Sequence, residues 1–217
     1  MDIIKSQKGY LTILTGKTDM GKSTITIYEC SELLKSGQKV IFFSYEYCQS
    51  IIYNKLISHF KIGWGQLFNL NIIDANGLNL QSLVNIVRNK KGNVDSVYID
   101  YLDLLRISTY GDVNDPNREQ EQIQNIIKEL ASLAKEMDIP IVLLSQSGSS
   151  SNFERAVTHL NNMGEKVEDG NLIKMFIGKG EVINERIDYS NVVHVILVDG
   201  YNLKHYSSIN IQEIYND

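Results

Sequence analysis

Continuously apolar runs alternate with helix-patterned segments up to about residue 150 of this chain, and few folds satisfy that alternation. The runs are "YLTILT", "KVIFFSYE", "LNIIDA", "VDSVYIDYLDLL" and "IPIVLLSQ", with segments such as "SIIYNKLISHF" and "LQSLVNIVRNKK" between them. A strand wet on one face alternates polar with apolar residues, so unbroken apolar runs belong to strands covered on both faces. Strand–helix alternation of this kind implies an α/β fold with a mainly parallel central sheet flanked by helices. Ile123, Ile126, Ile127, Leu130, Ala134 and Met137 form one stripe of a long helix, and Gly37 sits where the first helix should stop. In such sheets ligands collect beyond the carboxyl ends of the strands, which places the loop after "YLTILT", Glu46, Asp100 and Gln146 on one rim.

That first loop reads Gly16-Lys17-Thr18-Asp19-Met20-Gly21-Lys22-Ser23 and fits the spacing GxxxxGK[ST] without a mismatch. A glycine-rich turn leaves backbone N–H groups free to point at phosphate oxygens, and the helix that follows adds the positive end of its dipole. Gly16 and Gly21 permit backbone approaches that a side chain would block. Lys22 is expected on the β- and γ-phosphates and Ser23 on a magnesium ion. The nucleotide-contacting set is therefore Gly16, Lys17, Thr18, Asp19, Met20, Gly21, Lys22, Ser23 and Thr24, with ATP and Mg2+ as cofactors.

Asp100 ends an apolar run, where a carboxylate holds magnesium through its water shell, and with Ser23 it completes the metal set. Asp103 is the competing carboxylate and reads as structural. Glu46 ends "IFFSYE", placed to polarise an attacking water, and Gln146 ends "IVLLSQ" as a sensor of the γ-phosphate. The catalytic set is Glu46, Lys22 and Gln146. The segments "RISTYGDVNDPN" and "QSGSSSN" read as polar loops suited to contacting nucleic acid. Past residue 150, "LIKMFIG", "VVHVILVDG" and "KHYSSINIQEI" read as antiparallel strands, with a hairpin at "DGYN".

Composition excludes several other classes. A net charge of −5 argues against a protein that coats nucleic acid with its whole surface, although it allows a local basic channel. No apolar run approaches the ~20 residues of a membrane-spanning helix, and the opening "MDIIKSQKGY" does not read as a signal peptide, so a soluble, cytoplasmic protein is expected. Cys30 and Cys48 are too few for a disulfide framework, and the four histidines show no metal-ligand spacing.

Taken in order and spacing, "TGKTDMGKS", "FFSYEY", "VYIDYLDLL" and "IPIVLLSQ" resemble the RecA-like motor domain of DnaB-type replicative helicases over residues 9 to about 150. The resemblance implies a RecA-like P-loop NTPase core at 9–150, with 151–217 as divergent, antiparallel C-terminal strands of the same single domain. It also implies an ATP-hydrolysing homo-oligomeric ring, a hexamer being one form it could take, acting on single-stranded DNA in replication. Under it Glu46 is the catalytic base, Lys22 and Ser23 bind phosphate and magnesium, Asp100 is the second magnesium residue and Gln146 the sensor.

Two departures support an alternative, an ATP-binding accessory or assembly protein with reduced unwinding. DnaB-type enzymes carry an N-terminal helical domain and a linker helix, whereas this chain opens on its first motor strand. They also carry a basic finger on a late hairpin that reaches a neighbour's γ-phosphate, and the comparable "ILVDGYNLKH" contains no arginine. Lys204 is the nearest basic residue there, with Arg155 and Arg186 as others, so a partner ATPase chain is a further expected partner. Replacing Lys22 by Ala should abolish magnesium-ATP binding or turnover. Titration with a fluorescent nucleotide checks this, and an unchanged dissociation constant and rate would remove the phosphate-loop assignment.

Overall fold

The computed structural model describes residues 8–16, 22–112, 115–146, 172–177, 184–187, 192–199 and 202–210, with side chains at 8–14, 22–112 and 115–145. Its elements run β1 (Leu11–Gly16), α1 (Lys22–Lys35), β2 (Val40–Ser44), α2 (Gln49–Ser58), α3 (Trp64–Leu67), β3 (Leu70–Asp74), α4 (Leu80–Arg88), β4 (Ser96–Asp100), α5 (Leu102–Tyr110), α6 (Pro116–Met137) and β5 (Ile141–Gln146). These strands form a parallel sheet in the order β3-β2-β4-β5-β1. The apolar runs are its strands; β2 and β4 are buried along their whole length, whereas β3 at the sheet edge exposes Asn71 and Asp74.

Successive side chains of each strand enter different layers. Leu11, Ile13, Ile41, Phe43, Val97, Ile99, Ile141 and Leu143 pack with α4, α5 and α6. Leu14, Val40, Phe42, Tyr98, Val142 and Leu144 pack with α1, α2 and α3 on the opposite face. Across β2 and β4, Phe42 and Tyr98 are register partners whose rings stack at 6.2 Å.

Local chemistry sets the helix ends. At the end of α1 the Gly37 N–H donates to Leu34 C=O and the Gln38 N–H to Leu33 C=O, closing a left-handed stop in which Gly37 takes φ +80°. Asn79 caps α4 by accepting from the Ser82 N–H. Asp115 caps α6 by accepting from the Asn117 N–H, with Pro116 in the first turn. The whole stripe expected on α6 is buried.

Two expectations are corrected. The stretch "RISTYGDVNDPN" is not one polar loop, because its first five residues complete α5 and only 111–115 connect α5 to α6. Its polar residues tie helices together. The Arg106 guanidinium is buried, donating to Gln122 Oε1 at 3.2 Å and pairing with Glu119 at 3.4 Å. Thr109 Oγ1 donates to Leu105 C=O and accepts from the Leu80 N–H. Arg106 is therefore not on a DNA-contacting surface.

The second correction concerns β6 (Leu172–Ile177), which pairs parallel with β1 where an antiparallel strand was expected. Further on, β7 (Asn184–Ile187) pairs antiparallel with β6, and β8 (Val192–Asp199) with β9 (Asn202–Asn210). The loop residues 17–21, the "QSGSSSN" segment from 147 on and Arg155 lie outside the described residues, as do the side chains of Gln146, Arg186 and Lys204.

Ile126 on α6 is fully buried against the sheet, whereas Asn125 beside it is exposed. Ile126→Ala should cost about 2–5 kcal/mol and Asn125→Ala less than about 0.5 kcal/mol, read from urea unfolding midpoints.

Candidate active site at the carboxyl rim of the sheet

Register brings the expected residues to the carboxyl ends of neighbouring strands. Gly16 is the partner of Gln146, and Ser44 is the partner of Asp100. Strand β5 lies between β1 and β4, so the backbone of Gln146 sits between the strand that leads into the phosphate loop and the strand that ends in Asp100. The adjoining strand β2 leads into Glu46.

The first turn of α1 closes on this rim. Lys22 opens the helix and is buried, Ser23 and Thr24 are half-buried, and Thr26 Oγ1 bonds back to Lys22 C=O at 3.0 Å. Ser23 Oγ donates to Asp100 Oδ2 at 3.0 Å, joining residues 77 positions apart in sequence. Asp103 instead stands in the first turn of α5.

Asp100 is only 3% exposed. Burial is the largest influence on its carboxyl and raises its pKa from 3.8 to about 6; the Ser23 hydrogen bond opposes that, Glu46 adds to it, and Lys22 and Lys55 oppose it more weakly. A carboxylate held out of water beside a second carboxylate makes a place that favours added positive charge. Among the described residues no three His, Cys, Asp or Glu side chains converge as a self-sufficient metal cage. The donor set of one hydroxyl and one carboxylate oxygen instead suits magnesium, which keeps several waters and takes its remaining ligands from substrate phosphates.

Glu46 is exposed on a bend just past β2, and the bend is braced on both sides. The Tyr45 side chain turns into the α4–α6 layer and donates its phenol to Leu78 C=O at 2.8 Å. Burial holds that phenol protonated, well above the usual tyrosine range. Tyr47 packs on the α1–α3 layer. Ser44 Oγ donates to Tyr47 C=O at 2.7 Å and accepts from the Tyr47 N–H at 3.1 Å, while the Tyr45 N–H donates to Asp100 C=O at 2.7 Å. The exposed carboxylate therefore stands on a backbone fixed to the strand that carries Asp100.

Ser44, Tyr45, Tyr47 and Lys55 were not singled out by sequence reasoning. A signal existed for the last: Lys55 falls three residues after Ile52 and one before Leu56, both buried, so a cation sits beside the apolar face of α2. Cys30 is buried and Cys48 exposed, and neither forms a disulfide.

A parallel sheet carrying a loop-to-helix junction, a hydroxyl–carboxylate pair and a flanking carboxylate at its carboxyl rim defines a RecA-like ATPase fold. More narrowly, the chain belongs to the DnaB-like helicase C-terminal domain family, whose model matches residues 61–197. It is 30% identical to the replicative DNA helicase DnaB of Pasteurella multocida (strain Pm70) over 224 aligned residues, covering 88% of this chain and 47% of that protein. The corresponding figures for replicative DNA helicase DnaB of Haemophilus influenzae are 28%, 88% and 47%. A probable plasmid replicative DNA helicase of Chlamydia trachomatis is 34% identical over 128 residues, 57% of this chain and 25% of that one. The chain thus spans about half the length of the DnaB proteins it matches. Among solved structures, an ATPase domain superposes with a TM-score of 0.57 at 19% identity, covering 97% of this chain and 84% of that one, a likeness of fold. No helix among the described residues is long and apolar enough to cross a membrane.

Because folding raises the Asp100 pKa, its ionisation opposes folding above pH 3.8, and the penalty is complete above about pH 6. In the nucleotide-free protein Asp100→Asn should therefore raise unfolding free energy by on the order of 1–3 kcal/mol at pH 7, the gain vanishing as pH falls to about 4. Denaturant melts across that window check it, and a gain independent of pH would contradict the assignment.

Proposed function

We propose that this chain is the ATP-hydrolysing motor of a DnaB-like DNA helicase, acting as a ring, by family analogy a hexamer, around single-stranded DNA during replication. The observation that carries the reading is the Ser23–Asp100 contact at the rim, with Glu46 on the neighbouring strand end. It supports roles for a set of residues. The loop 16–21 with Lys22 and Thr24 cradles the phosphates, Ser23 and Asp100 hold Mg2+, Glu46 takes the proton of the attacking water and Gln146 senses the γ-phosphate. When bound, the metal ion neutralises charge developing on the phosphate oxygens. The chain is read as one domain, a motor core at 9–150 followed by divergent strands at 151–217, with Lys204 as the residue offered across a subunit boundary.

A second reading, an ATP-binding assembly protein with little unwinding, rests on the lack of arginine in 196–205. Basic fingers contribute about 10³–10⁵ to turnover in related chemistry. The two readings separate in steady-state ATPase assays with and without single-stranded DNA, run alongside measured mass. The motor reading expects DNA-stimulated turnover from a ring, and turnover indifferent to DNA from a monomer would favour the assembly protein. In the same assay Glu46→Gln should retain magnesium-ATP binding and lose about 10²–10⁴ in rate. Parent-like turnover in that variant would exclude Glu46 as the base.

A further inference from the structure

Glu46 is exposed, yet its task under the proposed function requires a fixed direction, so something must restrain the bend from the solvent side. Tyr45 anchors one flank through a partly buried hydrogen bond to Leu78 C=O. The other flank, Tyr47, has its backbone tied by Ser44, while its ring is only half-buried. Over that ring lies the Lys55 ammonium, 4.8 Å from the centroid, within the range in which a cation is attracted by the face of an aromatic ring.

Lys55 is well placed to hold the ring. It sits in the last turn of α2, half-buried between Ile52 and Leu56, whose burial fixes the helix against the sheet. An ammonium on a helix so anchored is a stationary point to which the ring can be held. Its charge also reaches Asp100, so Lys55 belongs to the electrostatic surroundings of the rim.

We propose that Lys55 is a positioning residue for ATP hydrolysis: by seating its ammonium on the Tyr47 ring it clamps the bend and aims the Glu46 carboxylate at the rim where Ser23 meets Asp100. The proposal rests on Glu46 being the base. Lys55 touches neither water nor phosphate in this account, and its hold on Glu46 runs through Tyr47. Removing either partner therefore releases the same restraint, and any cation or aromatic ring that preserves the contact preserves the rate.

The test is a double-mutant cycle on the full chain, measured by steady-state ATPase kinetics, magnesium-ATP binding and thermal melting. Lys55→Gln and Tyr47→Leu should each lower kcat roughly 10- to 100-fold, the cost of a reacting group displaced by about an ångström, with KM and binding within about twofold of the parent. The double variant should be no slower than either single one, and Lys55→Arg and Tyr47→Phe should retain most of the parent rate. Multiplicative losses in the double variant, a raised KM at unchanged kcat, or Lys55→Arg as slow as Lys55→Gln would each overturn the proposal. If a melting point falls with the rate, the Arg and Phe variants decide, because a clamp is restored by them and a loss of the lysine's other packing is not. Failure of the base assignment is distinguishable, since Glu46→Gln would then turn over like the parent while the Lys55–Tyr47 coupling remained measurable.

Discussion

Burial of the parallel sheet on both faces is the constraint on which everything else rests. A parallel strand cannot return by a hairpin, so each must be followed by a crossover, and the helices of those crossovers cover the sheet. Once β1, β2, β4 and β5 all point the same way, their last residues arrive together at one edge. Gly16, Ser44, Asp100 and Gln146 share a rim because their strands share a direction. The site is thus a by-product of the topology, specialised by a few polar residues at the strand ends.

Those polar residues stand where the core runs out. Asp100 follows four fully buried strand positions and is itself almost excluded from water, which is why its carboxyl is so easily protonated. Ser23 supplies one compensating hydrogen bond, and Lys22 and Lys55 supply positive charge. Among the described residues burial outweighs these contributions, a condition that a divalent ion would relieve.

Much of this was legible in the amino-acid order. Continuous apolar runs locate strands because burial on two faces leaves no room for alternation, and the α6 stripe locates a helix because helical periodicity leaves a trace. What stayed hidden has a common cause. Arg106 and Thr109 are polar residues that serve packing, so composition mistook a helix end for a loop. The parallel placement of β6 is decided by long-range pairing, on which local patterns are silent. Lys55 lies well beyond Glu46 in the chain and reaches the bend through a ring contact that only the folded arrangement creates.

The bend at 45–47 also decides when disorder is lost. Its two tyrosines descend into different layers of the molecule, one toward α4–α6 and the other toward α1–α3, and its backbone is bonded to β4. A carboxylate on an ordinary surface loop would have to be immobilised anew each time a ligand arrived, at a cost in conformational entropy of about 1–2 kcal/mol per residue. Here that ordering is completed as the two layers close on the sheet. The backbone beneath Glu46 is therefore ordered by folding itself, and the free energy of an encounter is left for the ligand.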